Sequence, residues 1–236
     1  MIFITGDTHG LIDGEKLFQI NGAYKKHKSL TRNDYVIVAG DFGFIWDNNY
    51  KKSIEPLTKF DYTILFIDGN HENFEILNSF PVEMWHGGKI HRISDNIIHL
   101  IRGQVFTIDN KTFFTFGGAD SIDKYMRTEH LSWWKEEIPS EEEFEEAKNN
   151  LLEYNNKVDY IITHAINTRA LTDRDSRLSV YRFKPTSIND MLEYFEQTVE
   201  YDSWFFGHYH IDSIVTPNKF ALYQHIIQIN TEEEND

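Results

Sequence analysis

Five short apolar runs in this chain are each followed, within two residues, by Asp or His, side chains that often bind metal ions. The runs occupy residues 2–5, 35–39, 63–67, 160–163 and 204–206. Short apolar runs bounded by Gly and polar residues are typical of buried strands. In a sheet whose strands stop side by side, the residues that follow them converge. The sequence therefore predicts one place where these polar side chains meet.

The first half of the chain alternates these runs with polar stretches of helical character. Helices are predicted over residues 14–30 and 49–60, between the first three strands. Such alternation favours parallel strands with helices on both faces of the sheet, joined by right-handed crossovers.

The middle of the chain has a different pattern. Short strands are predicted over residues 97–101, 104–108 and 112–116, and Asp109-Asn110-Lys111 has the composition of a tight hairpin connection. Antiparallel pairing in the middle of an α/β chain indicates a second sheet or an extension of the first one.

Two more helices are predicted in the second half. Ser140 and Glu143 have the spacing of a capping box, in which each side chain bonds to the other residue's backbone N–H, and this pattern begins a helix over 141–156. A second helix over 188–198 leads into the last of the five apolar runs.

The end of the chain is predicted to form strands. Residues 213–216 and 220–229 surround a turn at 217–219, and the tail from residue 231 is expected to be frayed. Because there is no linker and no internal repeat, one domain over residues 1–236 is the simplest organisation.

Composition limits the class of protein. The 236 residues include no Cys, so disulfides and thiolate ligands are excluded. No apolar run approaches the ~20 residues that a membrane helix needs, and no basic segment precedes the first strand as in a signal peptide. We therefore expect a cytoplasmic protein with no membrane partner. The sequence does not indicate an oligomeric state.

Net charge bears on the partners. The chain carries a formal charge of −15, from 38 acidic and 23 basic residues. Such a surface repels nucleic acid unless a local basic patch or bound cations intervene. The basic groups are short and are expected on solvated faces: Lys25, Lys26 and Lys28, and Arg169, Arg174, Arg177 and Arg182.

Histidine is concentrated at the predicted strand ends, where it accompanies Asp7, Asp41 and Asn70. Five of the eleven His residues lie there: His9, His71, His164, His208 and His210. The others are expected to be surface or packing residues: His27, His86, His91, His99, His130 and His225. Imidazole and carboxylate together suit Mn, Fe or Zn. Eight candidate ligands are too many for one ion and suit two, and two ions ~3.5–4 Å apart can clamp a phosphoryl group and activate water.

The motifs at these strand ends resemble those of the calcineurin-like metallophosphoesterases, and they occur in that family's order. They are GDTHG (6–10), Gly40-Asp41, GNHE (69–72), Thr163-His164 and GHYH (207–210). The resemblance implies an α/β fold in which two packed mixed β-sheets are flanked by helices. It also implies two divalent metal ions, with manganese expected first and iron, zinc, nickel or cobalt as alternatives. Hydrolysis of a small phosphate ester would proceed by attack of a metal-bridging hydroxide, without a covalent enzyme intermediate.

The resemblance also assigns the ligands. One ion would be held by Asp7, His9, Asp41 and His210, and the other by Asp41, Asn70, His164 and His208. Asp41 would bridge the two ions. Asn70 and His71 would contact the substrate phosphate, and His71 would protonate the leaving oxygen rather than bind metal, as suits an imidazole near neutral pH.

Two departures from the family concern the substrate. The protein Ser/Thr phosphatases usually have GDxVDRG and an Arg before GNHE, whereas this chain has GDFGFIWD and Asp68. The Arg pair with which those phosphatases are expected to grip a phosphomonoester is therefore missing, and so is the Asp, three residues after the bridging Asp41, that would orient His71. Asp47 and Asp120 are the candidates to orient His71 instead. GHYH has the two-His form that is typical of the family's phosphodiesterase-like branch, and this resemblance favours phosphodiester or nucleotide substrates. The alternatives are a protein phosphatase and a catalytically silent, metal-stabilised binding scaffold, and the negative charge weighs against a nuclease with a large duplex footprint.

A glycine pair follows the predicted strand over 112–116. Residues 117–121 either form a simple turn or border the substrate pocket, and they lead towards Arg127 and the pair Trp133 and Trp134. The tryptophans either pack in the interior or stack on a base. Arg127 is the candidate for a contact to the substrate phosphate.

Overall fold

Two mixed β-sheets form the centre of the fold in a computed structural model that describes residues 1–24 and 30–229. The first sheet has seven strands, in the spatial order β13 (Ile226–Ile229), β1 (Ile2–Thr5), β2 (Tyr35–Val38), β3 (Thr63–Phe66), β6 (Ile97–Leu100), β5 (Gly88–Ser94) and β4 (Val82–Trp85). The second has six, in the order β11 (Ser213–Thr216), β12 (Lys219–Ala221), β10 (Glu200–Phe206), β9 (Lys157–Thr163), β8 (Lys111–Phe116) and β7 (Gln104–Ile108).

Helices cover the outer faces of the two sheets. They are α1 (Glu15–Tyr24), α2 (Tyr50–Thr58), α3 (Phe74–Leu77), α4 (Glu141–Glu153), α5 (Thr168–Thr172) and α6 (Ser187–Thr198). Leu17 of α1 and Leu57 of α2 pack with Val36 on one face of the first sheet. The other face of that sheet carries Ile37, which packs in one cluster with Phe113 of the second sheet. The expectation of helices on both faces of the first sheet is therefore wrong, because a second sheet covers one face.

Strand register brings the ligand-bearing ends together. β1, β2 and β3 are parallel and end level with one another, with Thr5 opposite Val38 and Val38 opposite Phe66. In the second sheet, parallel β9 and β10 end with Thr163 opposite Phe206. Three of the five predicted runs therefore end in one sheet and two in the other, so the polar residues meet across the two sheets rather than along one edge.

Local signals in the sequence fix several element boundaries. The Ser140 capping box begins α4 as predicted, and the helix ends at Glu153 rather than at residue 156, because Asn155 and Asn156 have φ of 55° and 54°. Asp109 and Asn110 have φ of 50° and 60°, the two left-handed residues that a type I′ hairpin turn requires.

The C-terminal strands divide between the sheets. The predicted strand over 220–229 is two strands, β12 in the second sheet and β13, which crosses to pair antiparallel with β1. Residues 25–29 of the first predicted helix and the predicted frayed tail lie outside the described residues, as do Lys25, Lys26, Lys28 and His27. No helix in the described part of the chain is long and apolar enough to cross a membrane.

Candidate metal centre

Asp41 lies between two histidines that come from different sheets. Its Oδ2 is 3.2 Å from Nε2 of His9, and its Oδ1 is 3.3 Å from Nε2 of His164. The carboxylate is buried, as is His164. Each Asp41 oxygen therefore faces a different imidazole, which is the geometry that a bridging carboxylate needs.

Asp7 has a buried oxygen without a hydrogen-bond donor. Its Oδ1 accepts a hydrogen bond from the backbone N–H of His208 at 2.9 Å. Its Oδ2 lies 3.0 Å from Nε2 of His210 and yet has no hydrogen-bond partner among the described residues. An unpaired buried carboxylate oxygen is costly. A bound cation between it and the imidazole would remove that cost, so the residues fit a metal ion.

Asn70 and His164 are oriented by hydrogen bonds on the side away from the centre. The Asn70 amide nitrogen donates to Ser121 Oγ at 3.1 Å, which turns its Oδ1 towards Nε2 of His164 at 3.2 Å. His164 Nδ1 donates to the carbonyl of Ala39 at 2.8 Å, leaving Nε2 free as a ligand. The ring of His208 lies 5.0 Å from that of His164. The seven predicted metal ligands are therefore all brought together at this centre.

The backbone at the centre is tightly turned. His9, Asp41, His208 and His210 all have positive φ, between 43° and 68°, a conformation that costs energy for residues other than Gly. A Cβ at Gly69 would lie only 2.1 Å from Asp41 Oδ1. The close approach of the GNHE loop to the bridging carboxylate therefore requires Gly at that position.

The electrostatics of the centre are those of a cation site. Burial alone would lower the pKa of His164, but the adjacent Asp41 carboxylate overrides this effect and raises it to about 10 in the metal-free chain. Burial, with the charge of His164, lowers the pKa of His208 to about 4. Protons held by the metal-free carboxylate–imidazole cluster must leave when a metal binds, so metal affinity should increase with pH.

His71 contacts Asp41 through its backbone and Arg127 through its ring. Its N–H donates to Asp41 Oδ1 at 2.7 Å, and its Nδ1 lies 3.0 Å from Nη1 of Arg127. Burial lowers the pKa of His71, and the charge of Arg127 lowers it further. Neither candidate orienting residue contacts this ring in the described structure: Asp120 pairs with Lys124, and Asp47 accepts from the backbone of Asn49.

Several residues that the sequence motifs do not include hold the proposed ligands in place. Asp13 Oδ2 lies 2.9 Å from Nδ1 of His9, and Asp13 Oδ1 accepts from the hydroxyl of Tyr223 at 2.9 Å. The Tyr223 ring also stacks on His210 at 4.6 Å. The buried Lys16 donates to the carbonyls of Asp7 and Tyr223. Only Asp13, four residues after His9, had a sequence signal that could have revealed it.

Acidic residues within and directly before the GNHE segment anchor the loops. Glu72 accepts from the backbone N–H of Phe42 at 2.6 Å, which ties this segment to the loop after Asp41. Asp68, where the phosphatases have Arg, accepts from Nε of Arg102 at 2.8 Å, and both side chains are buried. His99, expected to be a packing residue, lies 3.3 Å from the same carboxylate. Both carboxylate oxygens of Asp68 therefore have structural partners, Arg102 and His99.

A cavity of about 590 Å³ opens onto the centre. Asn70, His71 and Arg127 line it, as do Asp120 and Ser121, so the loop after the glycine pair borders this cavity. Gly118 in that loop also has φ of 92°, so the loop makes a turn as well.

One tryptophan of the pair packs in the interior, and the other, Trp133, is half-buried. Trp134 is buried and packs edge-to-face on Trp46 at 5.5 Å. Arg182, expected on a solvated face, is exposed but lines the large cavity beside the centre.

Comparison with known protein families agrees with this geometry. The family model described as calcineurin-like phosphoesterase matches residues 1–212 of the chain, which include every candidate metal ligand. No curated protein matches the sequence.

Proposed function

This chain belongs to the calcineurin-like phosphoesterase family, and on that premise we propose that it hydrolyses phosphodiester or nucleotide substrates with two divalent metal ions. The family implies a metal-dependent phosphoesterase that acts on small phosphate esters. The observation that carries the proposal of two ions is the position of Asp41 between His9 and His164.

The proposed ligand sets follow the two sides of Asp41. Asp7, His9 and His210 lie on one side, where their ligand atoms are within 4.8 Å of one another. Asn70, His164 and His208 lie on the other side. When bound, the metal pair supplies an activated water and offsets charge on the phosphoryl oxygens. Manganese is our first choice, with iron, zinc, nickel or cobalt as alternatives.

His71 is the proposed acid for the leaving oxygen. Its backbone N–H is fixed on Asp41 and its ring lies 5.5 Å from that of His9, so the imidazole borders the metal centre. His9, Asp41 and His71 also form a group with ligand atoms within 4.8 Å, so a role for His71 as a ligand is the competing assignment. A proton held on the His71 ring would pass to the ester oxygen as the P–O bond breaks.

Arg127 is the proposed phosphate contact. Its guanidinium lies beside His71 and is held by Asp123 at 2.8 Å. A guanidinium in a fixed position suits bidentate binding of phosphoryl oxygens. One Arg beside His71, instead of the Arg pair expected in the protein phosphatases, fits the lower negative charge of a diester better than that of a monoester.

The test is hydrolysis of bis(4-nitrophenyl) phosphate by the metal-free protein before and after addition of Mn²⁺. We expect turnover only with metal, and loss of turnover in Asp41→Asn with an unchanged circular dichroism spectrum. Faster hydrolysis of a phosphopeptide than of any diester or nucleotide would instead indicate a protein phosphatase. The absence of hydrolysis with Mn, Fe, Zn, Ni and Co would indicate a metal-stabilised scaffold.

A further inference from the structure

His71 and Arg127 form a ridge between two cavities of different chemistry. Both residues line the cavity of about 590 Å³ that contains Asn70 and His208. Both also line a second cavity of about 440 Å³ on the side of His9. A phosphate bound at the ridge would therefore have one cavity on each side, and a phosphodiester has two substituents to place in them.

The larger cavity, which we call the cationic cavity, is lined by two positively charged side chains that have no ion-pair partner among the described residues. Arg182 and Lys184 line it, both are exposed, and neither has an ion-pair partner among the residues that the structure describes. Of the acids that line the same cavity, Asp120 pairs with Lys124 and Asp123 with Arg127, and Asp41 contacts the imidazoles of His9 and His164 in the metal centre. Because these acids already have partners, Arg182 and Lys184 remain available to bind an anionic group in this cavity.

An aromatic contact fixes the cationic segment beside the metal centre. Phe183, between the two cations, packs on Tyr209 with ring centroids 4.8 Å apart. Tyr209 lies between the proposed ligands His208 and His210, and its hydroxyl accepts from the Asn189 amide at 3.3 Å. The segment is therefore held against the GHYH loop.

The smaller cavity, which we call the apolar cavity, is lined by hydrophobic side chains. Leu11 and Ile12 follow His9 in the chain and are 63% and 83% exposed, which is a large apolar surface to leave open beside a polar centre. Phe44 and Trp46 also line this cavity. Its polar side chains among the described residues are Ser53, the imidazoles of His9 and His71, and Arg127. An apolar or aromatic group would cover this surface.

We propose that the substrate is an asymmetric phosphodiester with one apolar or aromatic substituent and one substituent that carries a second phosphate. The apolar group would lie against Leu11, Ile12 and Trp46, and the second phosphate would bind Arg182 and Lys184. Water adds to phosphorus, one P–O ester bond breaks, and the departing oxygen takes a proton from His71. The products are a phosphomonoester and an alcohol. This inference rests on the function proposed above.

Two chromogenic diesters test the cationic cavity in the Mn²⁺-loaded protein. They are thymidine 5′-(4-nitrophenyl phosphate) with and without a 3′-phosphate, and both release 4-nitrophenol. We expect the 3′-phosphate to increase kcat/KM about tenfold, as one charge-assisted contact would. Arg182→Gln and Lys184→Gln should each bring that ratio towards one. Lys157→Gln, at the opposite end of β9 from His164, is the matched control and should leave the ratio unchanged.

A matched pair of leucines tests the apolar cavity. For the diester without the 3′-phosphate, Leu11→Ser should lower kcat/KM about tenfold, the effect of losing one buried apolar contact. The change should appear as a higher KM. Leu152→Ser is the control, because Leu152 is 60% exposed on α4 and lines neither cavity. Circular dichroism of both variants would identify a folding defect.

The possible outcomes distinguish a failure of this substrate proposal from a failure of the proposed function. If neither diester nor bis(4-nitrophenyl) phosphate is hydrolysed with any of the five metals, the proposed function itself fails. If the diesters are hydrolysed but the 3′-phosphate gives no advantage, the cationic cavity does not bind a second phosphate. If Leu11→Ser behaves like Leu152→Ser, the apolar cavity does not hold the other substituent.

Discussion

The guanidinium of Arg127 lies against the ring of His71, with Nη1 3.0 Å from Nδ1 and Nη2 3.4 Å from Nε2. A cation in this place favours the neutral imidazole and can also bind a phosphoryl oxygen. Asp123 keeps the guanidinium there. One residue would thus both bind the phosphate and influence the protonation state of His71.

Replacement of Arg127 should alter both properties. Arg127→Gln removes a charge-assisted phosphate contact, so we expect kcat/KM on bis(4-nitrophenyl) phosphate to fall about tenfold or more. Burial lowers the pKa of His71 and Arg127 lowers it further, so the variant should have a higher pKa at His71. A general acid is lost as pH rises through its pKa, so the basic limb of the kcat profile should move to higher pH.

Arg92→Gln is the control, because Arg92 makes a similar bond to Glu83 at 2.8 Å far from the centre. Equal effects of the two substitutions would contradict the assignment.

His71→Ala should separate catalysis from metal binding. We expect two Mn²⁺ per chain by elemental analysis, and a loss of about 10²- to 10⁴-fold in kcat, the usual contribution of a general acid. The loss should be greater for a methyl ester than for a 4-nitrophenyl ester, because nitrophenolate leaves without needing a proton. Loss of one metal ion would instead make His71 a ligand. His130→Ala, at an exposed His, should change neither quantity.

The hydroxyl of Tyr223 should strengthen metal binding through Asp13. Asp13 lies 2.9 Å from Nδ1 of His9 and accepts from Tyr223, so it fixes the orientation of a proposed ligand. Loss of such an outer contact typically weakens metal affinity about 10- to 100-fold. We expect Tyr223→Phe to weaken one of two Mn²⁺ binding steps in a titration. Tyr201→Phe, which removes a hydroxyl bonded to Glu196 elsewhere, is the control. Unchanged affinity in Tyr223→Phe would show that Asp13 does not need this bond.

Comparison of sequence and structure shows why some features were predictable and others were not. The ligands follow strands, and a parallel register of short buried strands necessarily aligns their ends, so Asp7 and Asp41 could be predicted as neighbours. Some of the supporting contacts join distant parts of the chain: Tyr223 reaches Asp13 across 210 positions. No local pattern encodes such a contact. Arg182 likewise has no signal in the sequence, because its place beside the centre depends on the packing of Phe183 on Tyr209.

Arg102 should contribute more to stability than a surface cation does. It is buried against Asp68, and Arg102→Gln would leave that carboxylate as a buried charge without its cation. Breaking a buried pair in this way costs about 3–5 kcal/mol. Lys89→Gln, which breaks the half-exposed pair with Glu146, should cost about 1 kcal/mol or less. Urea unfolding of both variants would measure the difference, and equal free energies of unfolding would show that the Arg102 pair is no more stabilising than a surface pair.

His91 should make the metal-free protein sensitive to mild acid. Burial, with the neighbouring His99, lowers the pKa of His91 from 6.5 to about 4, so the unfolded chain binds a proton that the folded chain does not. The free energy of unfolding contributed by this group is therefore present above pH 6.5 and is lost as pH falls from 6.5 to about 4. His91 Nδ1 lies 3.1 Å from His99 Nδ1. In His91→Asn, the new side chain can also bond to His99 but cannot titrate. We expect a smaller loss of stability between pH 7 and pH 4.5 in this variant than in the parent protein, measured by urea unfolding.

The exposed His86, which bonds to the carbonyl of Thr107, provides the control: His86→Asn should retain the pH dependence of the parent. The same pH dependence in His91→Asn as in the parent would assign the acid sensitivity to other groups.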